Sequence, residues 1–228
     1  MPNQLLAASV LVFTVLSFSL GIFSLYRNPK ALTVRLWFLM SMAVGFWSLG
    51  LLALLWAQTE ETGVLYSKLL HVGASFIPIF FLHFVLSFLY KLNDKNKKKL
   101  LIVGYVLAVV FAILSLTKEI IAGAPPIAGL PVWVSAGRLY PFLLLYFWFY
   151  VMAGVYFLCQ GYRQTDGVMR RKIFFILLAS AFGFGGGGTN FLPQTLGIYP
   201  FGNFFAWLYP ILITYGIFVD EFKIRIKF

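Results

Sequence analysis

The stretch "ASAFGFGGGGTNFLPQTLGIYPFGN", Ala179 to Asn203, sets five glycines within six positions, Gly183 and Gly185 to Gly188, with apolar sequence on both sides. A phosphate loop would end in Gly-Lys-Ser/Thr, and a dinucleotide fingerprint would follow a soluble strand; neither pattern is present. Helical spacing instead puts Ala179, Gly183 and Gly187 on one face, with Ala181, Gly185 and Thr189 on another. Small residues four apart let a neighbouring backbone approach closely, the usual route to tight helix contact in lipid. Consecutive glycines also weaken the helix, each by up to about 1 kcal/mol relative to alanine in water. Gly183, Gly185, Gly186, Gly187 and Gly188 are therefore expected to be a packing segment of a membrane helix, with a hinge near one membrane face.

The rest of the chain supports the membrane reading. Of 228 residues, 61% are hydrophobic and 11% charged, more apolar surface than a soluble fold covers. Apolar runs recur near the roughly 20 residues a helix needs to cross hydrocarbon. Spans are predicted at about Gln4 to Tyr26, Leu36 to Ala57, Val64 to Tyr90, Leu100 to Thr117, Leu139 to Gln160, Ile173 to Asn190 and Phe201 to Val219. The fold class is thus an all-α, polytopic seven-transmembrane helix bundle. The first run has no Lys or Arg before it and is too long for a signal-peptide core, so it reads as an uncleaved span. The single cysteine, Cys159, has no partner for an intramolecular disulfide.

Charge sets the expected direction. The first, third and fifth connections and the C-terminal tail hold Arg27, Lys30, Arg35, Lys91, Lys95, Lys97, Lys98, Lys99, Arg163, Arg170, Arg171, Lys172, Lys223, Arg225 and Lys227. The other side holds Lys118 and Arg138, plus Lys68 near the end of the third span. The positive-inside rule then puts the N-terminus outside and the C-terminus in the cytoplasm. A net charge of +11 is accounted for by this topology and by anionic lipid, so the bilayer and not nucleic acid is the expected partner. Aromatics near span ends, among them Trp56, Tyr66, Trp133, Tyr140 and Tyr199, suit the headgroup zone.

Catalytic chemistry finds no foothold. Glu60, Glu61 and Glu119 lie on one side and Asp94, Asp166, Asp220 and Glu221 on the other, so no carboxylate pair meets at membrane depth. No Gly-x-Ser-x-Gly elbow is present. His71 and His83 are twelve apart on one helix, about 120° apart around it, and make no same-face metal pair. No catalytic residue, metal site or cofactor is expected. The seventh span lacks the lysine a retinal Schiff base requires. The glycine run has no counterpart in the first half, against a transporter of repeated halves. Polar groups in the outer third of the bundle remain as candidate ligand contacts: Lys68, His71, Arg138, Asn190, Tyr199 and Asn203. For His71 and His83 a hydrogen bond within the bundle is the competing reading. The long fourth connection, with Pro125, Pro126, Pro131 and Trp133, is apolar enough to fold down as a lid or to lie along the interface.

In order along the chain, "RNP" (Arg27 to Pro29), "GFWSLG" around Trp47, "PIFFLHFVLSF" (Pro78 to Phe88), "GYRQTDGVMRRK", "NFLPQTLGIYPFGN" and "YPILITYGI" (Tyr209 to Ile217) cover nearly the whole sequence. This ordered set resembles the seven-transmembrane sensory region at the N-terminus of bacterial histidine kinases. The resemblance implies a signal-transduction input module in the inner (cytoplasmic) membrane. It also implies that residues 1–219 are the sensory domain and 220–228 a short cytoplasmic tail or a junction to an output domain. Neither a phosphoacceptor motif nor an ATP-binding box occurs in these residues, so no kinase activity is expected of them. A homodimer and a separate cytoplasmic kinase or other output protein are the implied partners. The tail alternates Phe222, Ile224, Ile226 and Phe228 with Lys223, Arg225 and Lys227, suiting a strand or interfacial segment. A small-molecule transporter or channel is the alternative to a sensor.

Overall fold

A computed structural model describes residues 2–224. Long helices α1 (Pro2–Arg27), α2 (Leu32–Leu55), α3 (Glu60–Phe88), α4 (Lys95–Leu114) and α5 (Tyr140–Gln164) are followed by α6 (Gly167–Ser180). Two short segments and α7 (Leu192–Leu196) prolong α6, and α8 (Asn203–Ala206) leads into α9 (Leu208–Ile224). Six passages are long and apolar enough to cross a membrane, with Gly167–Leu196 counting as one and Asn203–Asp220 as another. In α4 the lysines at 97, 98 and 99 crowd the first turns. Its apolar part, Leu100 to Leu114, spans about 22 Å at 1.5 Å per residue, completing an all-α polytopic bundle of seven helical passages.

Packing closes a ring in which α1 contacts α2, α2 contacts α3, α3 contacts α5, α5 contacts α6, α6 contacts α9 and α9 returns to α1. α4 lies outside this ring against α3 and α5, and Ile102, Val103, Val106, Val110 and Ile113 are exposed along it. With no water in the hydrocarbon, several polar side chains pair between helices. Thr14 Oγ1 meets Ser48 Oγ at 3.0 Å, Trp37 Nε1 donates to Ser24 Oγ at 3.1 Å, and Tyr146 OH donates to Ser75 O at 2.9 Å. His83 Nδ1 lies 2.8 Å from Tyr105 OH, holding α3 to α4. It is a structural bond, remote from the candidate contacts.

Cap chemistry moves two helix starts from the expected positions. α3 begins at Glu60, ahead of Val64, because Thr59 accepts from Thr62 N while Thr62 Oγ1 accepts from Thr59 N, a reciprocal capping box. α4 begins at Lys95 because Asp94 Oδ1 accepts from the backbone N–H groups of Asn96 at 2.8 Å and Lys97 at 3.3 Å. Residues 222–224 continue α9 as helix, correcting the strand reading of that part of the tail: the backbone groups extend the helical ladder instead of seeking a strand partner. Residues 225–228 lie outside the described residues.

The connection from α4 to α5 folds over one end of the bundle as a lid. β1 (Ile121–Gly123) pairs antiparallel with β2 (Ser135–Ala136), a small strand pair in an otherwise helical chain. Ile120, Ala124, Leu130, Val132, Trp133 and Val134 are buried beneath it. The lid sits on the start of α3, where a Cβ on Gly63 would strike Val132 and Ala124. Glu60 Oε1 accepts from Ala124 N at 3.3 Å. The apolar connection thus folds onto the end of the bundle, against the start of α3.

Asp94 also pairs with Lys97 Nζ at 2.7 Å, and this bond with the two cap bonds holds its carboxyl below the usual value of 3.8. A carboxyl depressed on folding stabilises above its unfolded pKa and loses that contribution as pH falls through the folded one. Asp94→Ala is expected to lower the melting temperature at pH 7, with the difference from wild type shrinking as pH falls below 3.8; melts in lipid nanodiscs across that range check it.

Candidate functional site

Beneath the lid, the helix carrying the glycine run changes its winding twice. α6 passes into a π segment, Ala181–Gly186, then a 3-10 segment, Gly188–Phe191, before α7. Where the hydrogen-bond spacing changes, nearby side chains donate to the backbone carbonyls as well. Thr189 Oγ1 donates to Gly186 O at 2.7 Å, and Asn190 Nδ2 to Gly187 O at 2.7 Å. Gly197, in the left-handed region at φ +68°, ends α7 and turns the chain toward α8.

Asn190 and Asn203 then face each other as a reciprocal amide pair. Asn190 Nδ2 donates to Asn203 Oδ1 at 2.8 Å and Asn203 Nδ2 to Asn190 Oδ1 at 2.6 Å, with both residues buried. Ser9 Oγ donates to Asn203 O at 2.8 Å and Gly202 N to Thr189 Oγ1 at 3.0 Å. Through these bonds α1, the broken segment and α8 share one buried polar cluster.

The expected face of small residues four apart is not kept, because the wider π turn shifts the register. A Cβ on Gly183 would enter the Tyr209 ring, one on Gly186 would lie 2.7 Å from Gly202 O, and one on Gly188 2.8 Å from the Trp148 ring. Gly187 reaches only Trp47, at 4.0 Å, and Gly185 meets nothing within 4 Å. Gly183 thus makes room for the Tyr209 ring, and Gly186 meets Gly202 backbone to backbone. A cavity of about 40 Å3 lies beside them, walled by Trp47, Phe147, Phe184 and Tyr209.

A second polar structure runs from the lid into α3. Ser67 O lies 2.8 Å from His71 Nδ1; a carbonyl only accepts, so the network assigns the proton to Nδ1 and makes Nε2 the acceptor. Tyr140 OH, 3.2 Å from Nε2, donates there and accepts from Gln194 Nε2 at 2.7 Å. Gln194 Oε1 accepts from Trp133 Nε1 at 2.7 Å. Every donor points the same way along Trp133, Gln194, Tyr140, His71 and Ser67, an arrangement in which successive bonds polarise one another. The chain crosses the lid, α7, α5 and α3. Its members line a cavity of about 10 Å3, at the roughly 10–15 Å3 needed for one water.

Of the six residues singled out from sequence, His71 lies in this relay and Asn190 and Asn203 form the adjoining amide pair. Tyr199 OH donates to Asn3 Oδ1 at 3.3 Å, tying the turn before α8 to the start of α1. Lys68 is half-buried and Arg138 exposed; neither joins the relay. Three relay members, Trp133, Tyr140 and Gln194, were not among the six. Trp133 and Tyr140 read as interfacial aromatics, yet each is 1% exposed because the lid covers them. Gln194 carried the available signal: it is, with Asn190, one of two amides in the otherwise largely apolar run "NFLPQTL".

Residues 9–222 match the family model of the N-terminal seven-transmembrane region of histidine kinase. The chain belongs to this family. A search of curated proteins gave no match. It is accordingly a multi-pass membrane protein and a sensory input module of histidine-kinase signalling.

Replacing one member of the amide pair strands the other in an apolar site. Asn203→Leu or Asn190→Leu is expected to cost about 1–3 kcal/mol. The double variant is expected to fall short of the summed cost by about 0.5–3 kcal/mol, measured by unfolding in lipid micelles.

Proposed function

We propose that the lid and the relay beneath it are the stimulus-reading site of this sensory region, and that α9 carries the response out. The observation that supports this most is the unbroken run of hydrogen bonds from Trp133 in the lid to Ser67 in α3, with Gln194 of the broken passage in its middle. A ligand or solvent change that competes for Gln194 or Tyr140 releases Trp133, frees the lid and loosens the segment that positions α8 and α9. His71, Asn190, Tyr199 and Asn203 act as the polar contacts of this site, with Lys68 and Arg138 at its rim.

The lid side faces outward and the basic side faces the cytoplasm of an inner-membrane protein, with the N-terminus out and the C-terminus in. Positive charge at the connections on the α9 side supports this orientation. Residues 1–219 serve as the sensory domain and 220–228 as the junction to a kinase, either continuous with it or separate, in a homodimeric assembly. Two contacts make α9 responsive to α6: Tyr209 packs over Gly183 at the lid end, and Lys172 Nζ pairs with Asp220 Oδ2 at 2.6 Å at the other. A small shift of α9 along α6 is then a movement the bundle can transmit.

The test joins residues 1–224 to an autophosphorylating histidine-kinase core in proteoliposomes. Tyr140→Phe and Gln194→Leu are expected to change basal autophosphorylation by about fivefold or more, the lower range of allosteric coupling, while Arg138→Ala leaves it unchanged. Folded relay variants with wild-type output would exclude the relay as the reading site.

A further inference from the structure

Two cavities meet inside the bundle. One, of about 40 Å3, lies beside the glycine segment, and the other, of about 10 Å3, lies along the relay. Trp47 of α2 and Phe191 wall both of them. Phe13, Ile77, Phe147 and Phe184, which close in the larger one, are buried apolar groups. Among the described residues no charged side chain lines either cavity. At the roughly 10–15 Å3 that one water-sized group occupies, the larger cavity takes about three such groups.

Trp47 brings an unspent donor to this place. Among the described residues the buried indoles are those of Trp37, Trp47 and Trp133. Trp37 donates to Ser24 Oγ and Trp133 to Gln194 Oε1, as buried tryptophans usually do. Trp47 is 8% exposed, yet its Nε1 has no acceptor among the described residues. This nitrogen is not sealed by protein atoms as the unpartnered Ser67 Oγ and Thr214 Oγ1 are. A buried donor in that position calls for an acceptor from outside the chain.

Gly187 keeps the larger cavity open. Its backbone is right-handed, at φ −61° and ψ −31°, a conformation any residue adopts. An added Cβ would meet only the Trp47 ring, at 4.0 Å. Neither backbone nor neighbours therefore demand glycine at 187, and what its missing methyl leaves is room beside the indole.

We propose that the paired cavities bind a small neutral molecule, an apolar body of about three carbons with one carbonyl oxygen that accepts from Trp47 Nε1. The apolar, uncharged lining excludes an ion, whose desolvation nothing there would offset. In a step that rests on the relay as the stimulus-reading site, the occupant presses on Trp47 and Phe191. These are the walls shared with Tyr140 and Gln194, so occupancy beside the glycine segment reaches the relay.

Acetone, and 2-methylpropene, which has the same shape without the acceptor, are the probes, added to the full chain in nanodiscs. The indole N–H signal of Trp47, identified by its loss in Trp47→Phe, is followed by magnetic resonance. Acetone is expected to move it downfield in a saturable way while the signals of Trp37 and Trp133 stay in place, and 2-methylpropene is expected to give no downfield shift. In Trp47→Phe the binding of isotope-labelled acetone is expected to weaken about fivefold, the worth of one net hydrogen bond. Gly187→Ala, whose methyl has room in the fold, is expected to weaken it by occupying the cavity. An unmoved Trp47 signal, equal shifts with the two probes, or undiminished binding in both variants would each overturn the site. The same additions to the kinase-fused protein separate the two readings. Acetone binding with unchanged autophosphorylation supports the ligand site and overturns the relay as the stimulus reader, whereas altered output with the Trp47 signal unmoved overturns the ligand site.

Discussion

A backbone carbonyl inside a bilayer must find a donor within the protein, and where the passage from Gly167 to Leu196 changes its winding, side chains add donors to its own backbone. Its turns change from α to π to 3-10 and back. The carbonyls of Gly186 and Gly187 accept from the side chains of Thr189 and Asn190. Asn190 is then fixed by Asn203, whose backbone is held in turn by Ser9 of α1. The broken passage is stable only as part of this set of contacts, which is why the start of α9, the turn before it and α1 all depend on one short glycine-rich segment.

The same break brings Gln194 under the lid. Had α6 continued as a regular helix, position 194 would follow the α-helical register of the preceding turns. The change of winding instead lets one amide bridge the Trp133 indole and the Tyr140 hydroxyl. Lid, broken passage and α3 are therefore connected by directional bonds and not by apolar contact alone. Apolar packing tolerates small slides, whereas a run of aligned donors is either complete or interrupted, the discrete behaviour a sensory region requires.

The seven passages were legible because hydrophobic length is a strong signal in lipid, and the order of motifs pointed to the family that the chain matches over residues 9–222. Helix starts were less legible: Thr59 and Asp94 lie in polar connections, where capping and not hydropathy decides the first turn. The burial of two aromatics beneath the lid escaped for a different reason. Trp133 and Tyr140 have the composition of interfacial aromatics, and only the tertiary fold of residues 115–139 buries them. The glycines were legible as close-packing residues but not in their pairing, because the π turn replaces the four-residue spacing with contacts to Tyr209, Gly202 and Trp148. His71 was legible as a buried polar group, while its partner Tyr140 lies 69 residues away and no local pattern connects them.

The central claim is that lid and broken passage form one cooperative unit joined through Gln194. Hydrogen–deuterium exchange of wild type and Gln194→Leu in nanodiscs tests it most directly. The account predicts that the variant raises exchange in residues 119–137 of the lid and in residues 181–191 together, with α1 and α2 retaining wild-type protection away from Ser9. Faster exchange confined to the immediate surroundings of position 194, with the lid and the glycine segment unchanged, would contradict it.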